Sequence, residues 1–496
     1  MTQGRDLRRA LAGVAAVAFA AAALGIPVRA TPQEQVAVDE PQYLMSALSI
    51  GADGDLDIGN QLERRQWRRF TAVEPPVETI VQPDGSQISP HDPLLPVLLA
   101  APTVIGGWAG AKLALAALAA ALAALTLWVA VRRLDVPLPV AAAGVAVASA
   151  SAPLAVYGQQ VYPEVPAALA CLAGAAALTG RHDRHSRGEL ALLGVAVVAL
   201  PWLALKYVPV AGALAGLGLV RWWRAGFRRE AVAFAAATGA AGALYQLAHV
   251  LVWGGWTPYA SGDHFRQVGQ LGVMGTNPNF LFRSWRLIDL LVDRTFGLVV
   301  WQPAWLLLVP ALAALLARRR TLPPGGALAV LGLPLLAGWL VATYAALTMH
   351  GHWWPGRQVV VVLPLAVLVV LCWLARAGRA VRLLAAALGL VGVSTYACVL
   401  VDGLTGELAW VNHFFTPDAP AYALLHPLLA SYGTTTSNVV WTGLLLGLSA
   451  ATHLAARRRQ RATWGALVSD VELELPKSAA PGVSSPGDGE RTTRRR

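Results

Sequence analysis

The run 189–220 decides the fold, and it reads Glu189-Leu190-Ala191-Leu192-Leu193-Gly194-Val195-Ala196-Val197-Val198-Ala199-Leu200-Pro201-Trp202-Leu203-Ala204-Leu205-Lys206-Tyr207-Val208 before continuing in Ala, Gly, Leu and Val. About 20 apolar residues suffice to cross a hydrocarbon core of roughly 30 Å, so this run is too long for one straight crossing. Pro201-Trp202 breaks it, because proline removes a helix hydrogen bond and clashes with the preceding turn. One reading is two short helices meeting at Pro201–Lys206; the other is a single kinked helix. The kinked reading inverts every later segment and places the later arginine clusters on the non-cytoplasmic face. The two-helix reading puts every arginine cluster on the cytoplasmic face and is the better one.

Working outward, apolar runs recur at 11–28, 108–131, 137–156, 163–180, 231–252, 296–317, 325–346, 358–375, 383–401 and 438–456. Hydrophobic residues make up 56% of the 496 residues and charged residues 14%, and the mean hydropathy is +0.52. These values exclude a soluble domain of this size. The expectation is an all-α polytopic membrane protein of about 12 transmembrane helices, built as one domain over 1–461, with 462–496 as a disordered cytoplasmic tail. Arg132-Arg133, Arg181/Arg184/Arg187, Arg221/Arg224/Arg228/Arg229, Arg318-Arg319-Arg320, Arg376/Arg379/Arg382 and Arg457-Arg458-Arg459 stand at alternate run ends. They predict an integral plasma-membrane protein, multi-pass, with both termini cytoplasmic. Arg5, Arg8 and Arg9 precede the first run, and Val28-Arg29-Ala30 loosely resembles a cleavage site; Arg29 and the many later spans favour a retained helix.

The net charge of +11 is spread over these run ends, so no nucleic-acid surface is read from it. Cys171, Cys372 and Cys398 lie in apolar runs without metal-like spacing. The non-cytoplasmic side receives 31–93, the 157–164 turn, 253–295, 350–357 and 402–437. Trp202, Trp253, Trp256, Trp353, Trp354 and Trp410 at these borders read as an interfacial aromatic belt. Span centres are nearly bare of ionisable groups. Lys112, Glu164, Lys206, Asp289, Asp293, Arg294 and Arg357 stand instead at the outer borders. That points to a site at the interface rather than a conduction path.

Within the first loop, Val38-Asp39-Glu40-Pro41-Gln42-Tyr43-Leu44 places an acidic pair before a proline suited to a first helical turn. A helix cap with a dipole-matched acid explains the pair. A general base with a helper explains it equally. Asp53-Gly54-Asp55-Leu56-Asp57 lacks the glycine and closing glutamate of a calcium loop and reads as an irregular turn. His91-Asp92-Pro93 returns the chain to the membrane. His350 and His352, beside Trp353-Trp354, read as part of the aromatic belt rather than a metal site.

In order along the chain stand Asp39-Glu40-Pro41-Gln42-Tyr43-Leu44, Asp53-Gly54-Asp55-Leu56-Asp57, His91 with Leu94-Leu95-Pro96, Val161-Tyr162-Pro163-Glu164-Val165-Pro166, Asp293-Arg294-Thr295-Phe296-Gly297-Leu298 and Trp353-Trp354-Pro355-Gly356-Arg357. Together they resemble the outer-face motifs of bacterial GT-C-type integral membrane glycosyltransferases, relatives of protein O-mannosyltransferases and aminoarabinose transferases. The resemblance covers roughly 35–370. Gln42 stands where the family usually has His, and Gln358 where it usually has an aromatic residue.

What the resemblance implies is an inverting transfer of a hexosyl or pentosyl group from a polyprenyl-phosphate sugar to a cell-envelope glycan, lipid or protein on the non-cytoplasmic face. It implies Asp39 as general base, and Glu40 as its helper or as co-ligand with Asp39 of a divalent metal cation. Lys206 and Arg357 would hold the phosphate, with His91, Tyr43 and Glu164 completing the substrate site. For Lys206 and Arg357, snorkelling to lipid headgroups is the competing reading. Rival functions are a transporter or flippase of lipid-linked sugars and a non-catalytic membrane scaffold in envelope assembly.

Overall fold

The computed structural model describes residues 2–75, 78–180, 187–254, 279–317, 326–346, 349–411 and 416–474. Every apolar run read from the sequence contains a helix, although 137–156 is interrupted after Ser149 and 296–317 is helical only from Pro303. Among the described residues, seven helices are long and apolar enough to cross a membrane: Gly4–Leu24, Leu94–Arg132, Arg228–Trp253, Ala327–Ala345, Arg357–Leu374, Arg379–Thr405 and Thr435–Arg458. Shorter apolar helices at Leu138–Ser149, Glu164–Leu178 and Pro303–Ala317 pack among them. Strand is confined to one hairpin in the first loop among the described residues, pairing Ile80–Val81 with Gln87–Ile88. The chain is an all-α polytopic membrane protein.

The decisive run folds as two helices, Arg187–Leu203 and Val208–Arg224, joined by a tight turn at Leu205–Tyr207. Its reversal is fixed at the open end. Arg221, near the end of the second helix, donates to the carbonyls of Leu178 and Gly180, which precede the start of the first. Glu189 at that same end accepts from Arg133 at 2.9 Å. Arginines therefore gather at one end of the bundle, and the turn carrying Lys206 lies at the other.

The helix Leu94–Arg132 contains Pro102 and breaks at Gly107 (φ 59°, ψ −148°), a conformation that needs glycine. Its second half is the membrane span read from sequence; its first half starts beside the first loop. The N-terminal helix Thr2–Leu24 lies along Leu94–Arg132 and Leu138–Ser149. It is tied at its end by Tyr396 to the Ala21 carbonyl (2.8 Å) and by Trp410 to the Gly25 carbonyl (3.0 Å). The rim helices Arg228–Trp253, Arg379–Thr405 and Thr435–Glu474 turn large side chains outward, among them Leu244, Leu251, Leu390 and Leu446. Such an apolar surface suits lipid as its solvent. The last helix continues to Glu474, so residues 462–474 of the expected tail are helical; 475–496 lie outside the described residues.

Tryptophans depart from the belt reading. Trp253, Trp354 and Trp410 are buried, and Trp253 donates to the Ser89 carbonyl at 2.8 Å. Their large rings pack between helices and loops; the indoles of Trp253 and Trp410 donate to carbonyls inside, whereas that of Trp354 is buried without a hydrogen-bond partner among the described residues. Trp256 lies outside the described residues.

Outside the candidate spans, the helix Arg286–Val292 docks on the last helix through Asn438, whose amide donates to Asp289 at 3.2 Å. Burial, with the charge of Asp293 nearby, pushes the Asp289 carboxyl up to about 7. A raised carboxyl favours folding fully below its unfolded pKa, and that contribution is lost as pH rises through about 7. Asp289→Asn should therefore stabilise the protein by on the order of 1–3 kcal/mol near pH 8. The gap to wild type should be clearly smaller near pH 5, on the way to closing below the unfolded pKa. Thermal unfolding in detergent at the two pH values checks this, and an equal shift at both would refute it.

Candidate functional site

The first-loop helix Glu40–Leu48 is buried along its whole length and packs on Leu94–Arg132. Pro41 occupies its first turn, as its fixed φ favours. Asp39 precedes it with φ −79° and ψ −18°, and its side chain makes no capping bond to the helix. The preceding Val38 has φ +59°, a conformation that a β-branched residue adopts only under constraint. This local twist aims the carboxylate away from its own helix. Its Oδ2 accepts from Arg357 Nη2 at 3.0 Å, and its other oxygen takes no hydrogen bond among the described residues. Of the two sequence readings, the cap is not what holds this side chain.

Arg357 enters from the turn that ends in Gly356, where φ is +84°. A Cβ there would meet Leu298 and Pro153 at 3.0 Å, so both the backbone and the space require glycine. The guanidinium lies 4.0 Å above the Tyr162 ring and 5.3 Å from that of Trp353. Its Nε donates to Glu164 Oε1 at 3.0 Å. Lys206, from the hairpin turn, donates to the same oxygen at 2.8 Å. Glu164 is fully buried and opens the helix Glu164–Leu178, so the helix dipole adds to the two cations that hold its charge. Four charges thus alternate through a network at one end of the bundle: Asp39, Arg357, Glu164 and Lys206. Both cations are engaged by these carboxylates, with 10% of the Arg357 side chain exposed and 28% of that of Lys206.

Tyr43, one turn into the first-loop helix, stacks on His91 at 4.7 Å and meets Tyr162 edge-on at 6.4 Å. His91 Nε2 lies 3.7 Å from Glu78 Oε2, outside hydrogen-bond reach. Both atoms are buried without a hydrogen-bond partner among the described residues. With Asp39 they offer one imidazole nitrogen and two carboxylate oxygens within 4.8 Å of one another. That donor set fits a divalent cation of the zinc or manganese type.

Asp92 locks the neighbourhood. It accepts from the Leu205 amide (3.1 Å) and the Tyr245 hydroxyl (2.9 Å), and faces His249 Nε2 at 3.2 Å. Asp92 thereby ties the His91 corner to the Lys206 turn and the helix Arg228–Trp253.

Burial pushes the Asp39 carboxyl up, but the charges of Arg357, His91 and Lys206 outweigh it and hold the group below the usual carboxylate range. Burial pulls His91 down, and the Glu78 and Asp39 carboxylates more than reverse this, raising it. Burial, reinforced by the charge of Asp39, keeps the Tyr43 phenol neutral well above its ordinary range.

Glu40 departs from expectation. Its carboxylate points away from Asp39 and accepts from the amides of Val161 (2.8 Å) and Ala37 (3.2 Å). Lys112 Nζ lies 3.7 Å away, and both side chains are almost fully buried. A carboxylate so enclosed is a structural anion, and the metal pairing Asp39/Glu40 gives way to Asp39, Glu78 and His91. Adjacent residues at a helix start diverge by about 100°, so a helper immediately next in sequence faces elsewhere. Of the expected site residues, the fold brings together Asp39, Arg357, Glu164, Lys206, Tyr43 and His91. Sequence reading missed Glu78 and Asp92. Glu78 follows an irregular Pro-rich stretch with no periodic signal, whereas the His91-Asp92-Pro93 corner could have flagged Asp92. Asp293, in the fifth family-like motif, builds a turn by accepting from Thr295 and Phe296 amides at 3.0 and 2.7 Å.

No protein-family model matches the sequence, and no curated protein does. A solved structure with a similar course of the chain is that of ArnT from Cupriavidus metallidurans bound to undecaprenyl phosphate, at 15% identity and a TM-score of 0.43. The similarity covers 95% of this chain and 80% of the other. A likeness of that degree carries no argument about function.

Proposed function

We propose that this protein is a membrane glycosyltransferase that moves a sugar from a polyprenyl-phosphate donor to a cell-envelope acceptor, with inversion, on the non-cytoplasmic face. The observation that carries this reading is the Asp39–Arg357–Glu164–Lys206 network, where two carboxylates and two cations share an aromatic-lined end of the bundle. The acceptor hydroxyl attacks the anomeric carbon as the carbon–oxygen bond to phosphate breaks. Asp39, held ionised, receives the hydroxyl proton. The departing phosphate takes its negative charge to Arg357 and Lys206, which Glu164 keeps in place until the ligand competes for them. Tyr43 and Tyr162 offer faces for a sugar ring.

Glu78 and His91, with Asp39, would hold a divalent cation at the edge of this site, and such an ion would add positive charge near the leaving group. An apolar groove of about 670 Å³, lined by Pro93, Val97, Val198, Trp202 and Phe234, starts at the His91 corner. It gives an isoprenoid chain a path into lipid.

The test is transfer from radiolabelled polyprenyl-phosphate pentoses and hexoses by the purified full-length protein in nanodiscs, with envelope extract as acceptor. Label should leave the lipid phase with at least one donor. A folded protein that moves none of them, or that moves the intact lipid between leaflets instead, removes the proposal.

A further inference from the structure

A second groove lies at the opposite end of the bundle from the charged network. It is bounded by Leu138–Ser149, Pro303–Leu307, Leu363–Leu374 and Arg379–Thr405 and has a volume of about 450 Å³. Its walls are Ala143, Trp305, Val370, Leu374 and Leu390, almost wholly apolar. Close helix approach builds its floor. A Cβ on Gly144 would meet Leu371 at 2.5 Å, and one on Gly389 would meet Val147 at 2.7 Å. Helices that touch at glycines diverge beyond them, and the divergence leaves the groove. Leu363–Leu374 and the short helix before it lead away from Arg357 over roughly 25 Å, so this groove is not part of the site above.

Its mouth is basic. Arg382 lines the groove and is fixed there by donating to the carbonyls of Leu374 and Ala375, each at 2.9 Å. Arg376 and Arg379, in the same connection, are exposed. Outside the groove Leu383 and Leu384 are also exposed on the flanking helix, so the opening faces the surrounding medium of the spans. An apolar slot between membrane helices, closed by an arginine cluster at the depth of headgroups, matches one chemistry: an alkyl chain tethered to an anion.

We propose that this groove binds an anionic diacyl phospholipid, one acyl chain lying against Ala143, Trp305 and Leu390 and the phosphate resting on Arg376, Arg379 and Arg382. The site is independent of the sugar-transfer reading and stands or falls without it.

The probe is phosphatidylglycerol, measured against phosphatidylcholine by native mass spectrometry of the full-length protein released from mixed nanodiscs. Wild type should retain phosphatidylglycerol preferentially. Arg376→Gln with Arg379→Gln should weaken that preference about thirtyfold, each surface arginine contributing comparably. Ala386→Trp, which fills the groove from the Arg379–Thr405 helix, should abolish retention of both lipids. Ala143→Phe, from the opposite wall, provides the same test if Ala386→Trp fails to fold, as judged by thermal unfolding. Equal retention of the two lipids by wild type overturns the proposal. So does undiminished retention by a folded groove-filled variant, or a co-purified polypeptide crosslinked to position 386 in place of lipid.

Discussion

Asp39→Asn is expected to leave the protein folded and inserted while lowering sugar transfer by about 10²–10⁴-fold, the usual contribution of a positioned general base. The amide can still accept from Arg357, so the network keeps its shape, but it cannot take a proton from an acceptor hydroxyl. Arg357 also keeps Glu164 at 3.0 Å, which prevents a stranded buried cation. The comparison needs two readouts on one preparation: turnover of the lipid-phosphate donor and the thermal midpoint in detergent. Unchanged turnover with an unchanged midpoint would exclude Asp39 as the base.

One residue along, the outcome should invert. Glu40→Ala removes the counter-charge of Lys112 in a place where neither side chain reaches solvent. It also strands the amides of Val161 and Ala37. Breaking a buried pair from one side costs about 3–5 kcal/mol. The expected result is poor accumulation or a much lower thermal midpoint, with residual folded protein retaining its turnover per molecule. Adding Lys112→Met should recover part of the loss, since the lone buried ammonium is then gone. A Glu40→Ala protein as stable as wild type would show that the carboxylate is not holding this corner. The two neighbouring acids are thus separable, one by rate and one by stability.

This contrast marks how far the sequence alone could go. The helices were legible because lipid demands long apolar runs, and Pro201-Trp202 with its flanking arginines is enough to split 189–220 into a hairpin. The members of the charged network were legible as outer-border ionisable residues in an ordered set of motifs. Their pairings were not. Glu40 and Lys112 lie far apart in sequence, as do Asp39 and Arg357, and nothing local to either distinguishes which acid meets which cation. The kink at Gly107 likewise depends on a left-handed φ that Gly106-Gly107 permits without demanding. Glu78 reaches His91 only because the irregular first loop folds back on itself.

Val38 gives the site a further property. Its left-handed backbone costs on the order of 1–3 kcal/mol and sits directly before the carboxylate that it orients. Glycine at this position would relax that strain and at the same time widen the cone through which Asp39 can swing. A lineage selected for robustness and one selected for speed would therefore settle on different residues at position 38. The tension in that single peptide unit records which of the two demands has prevailed.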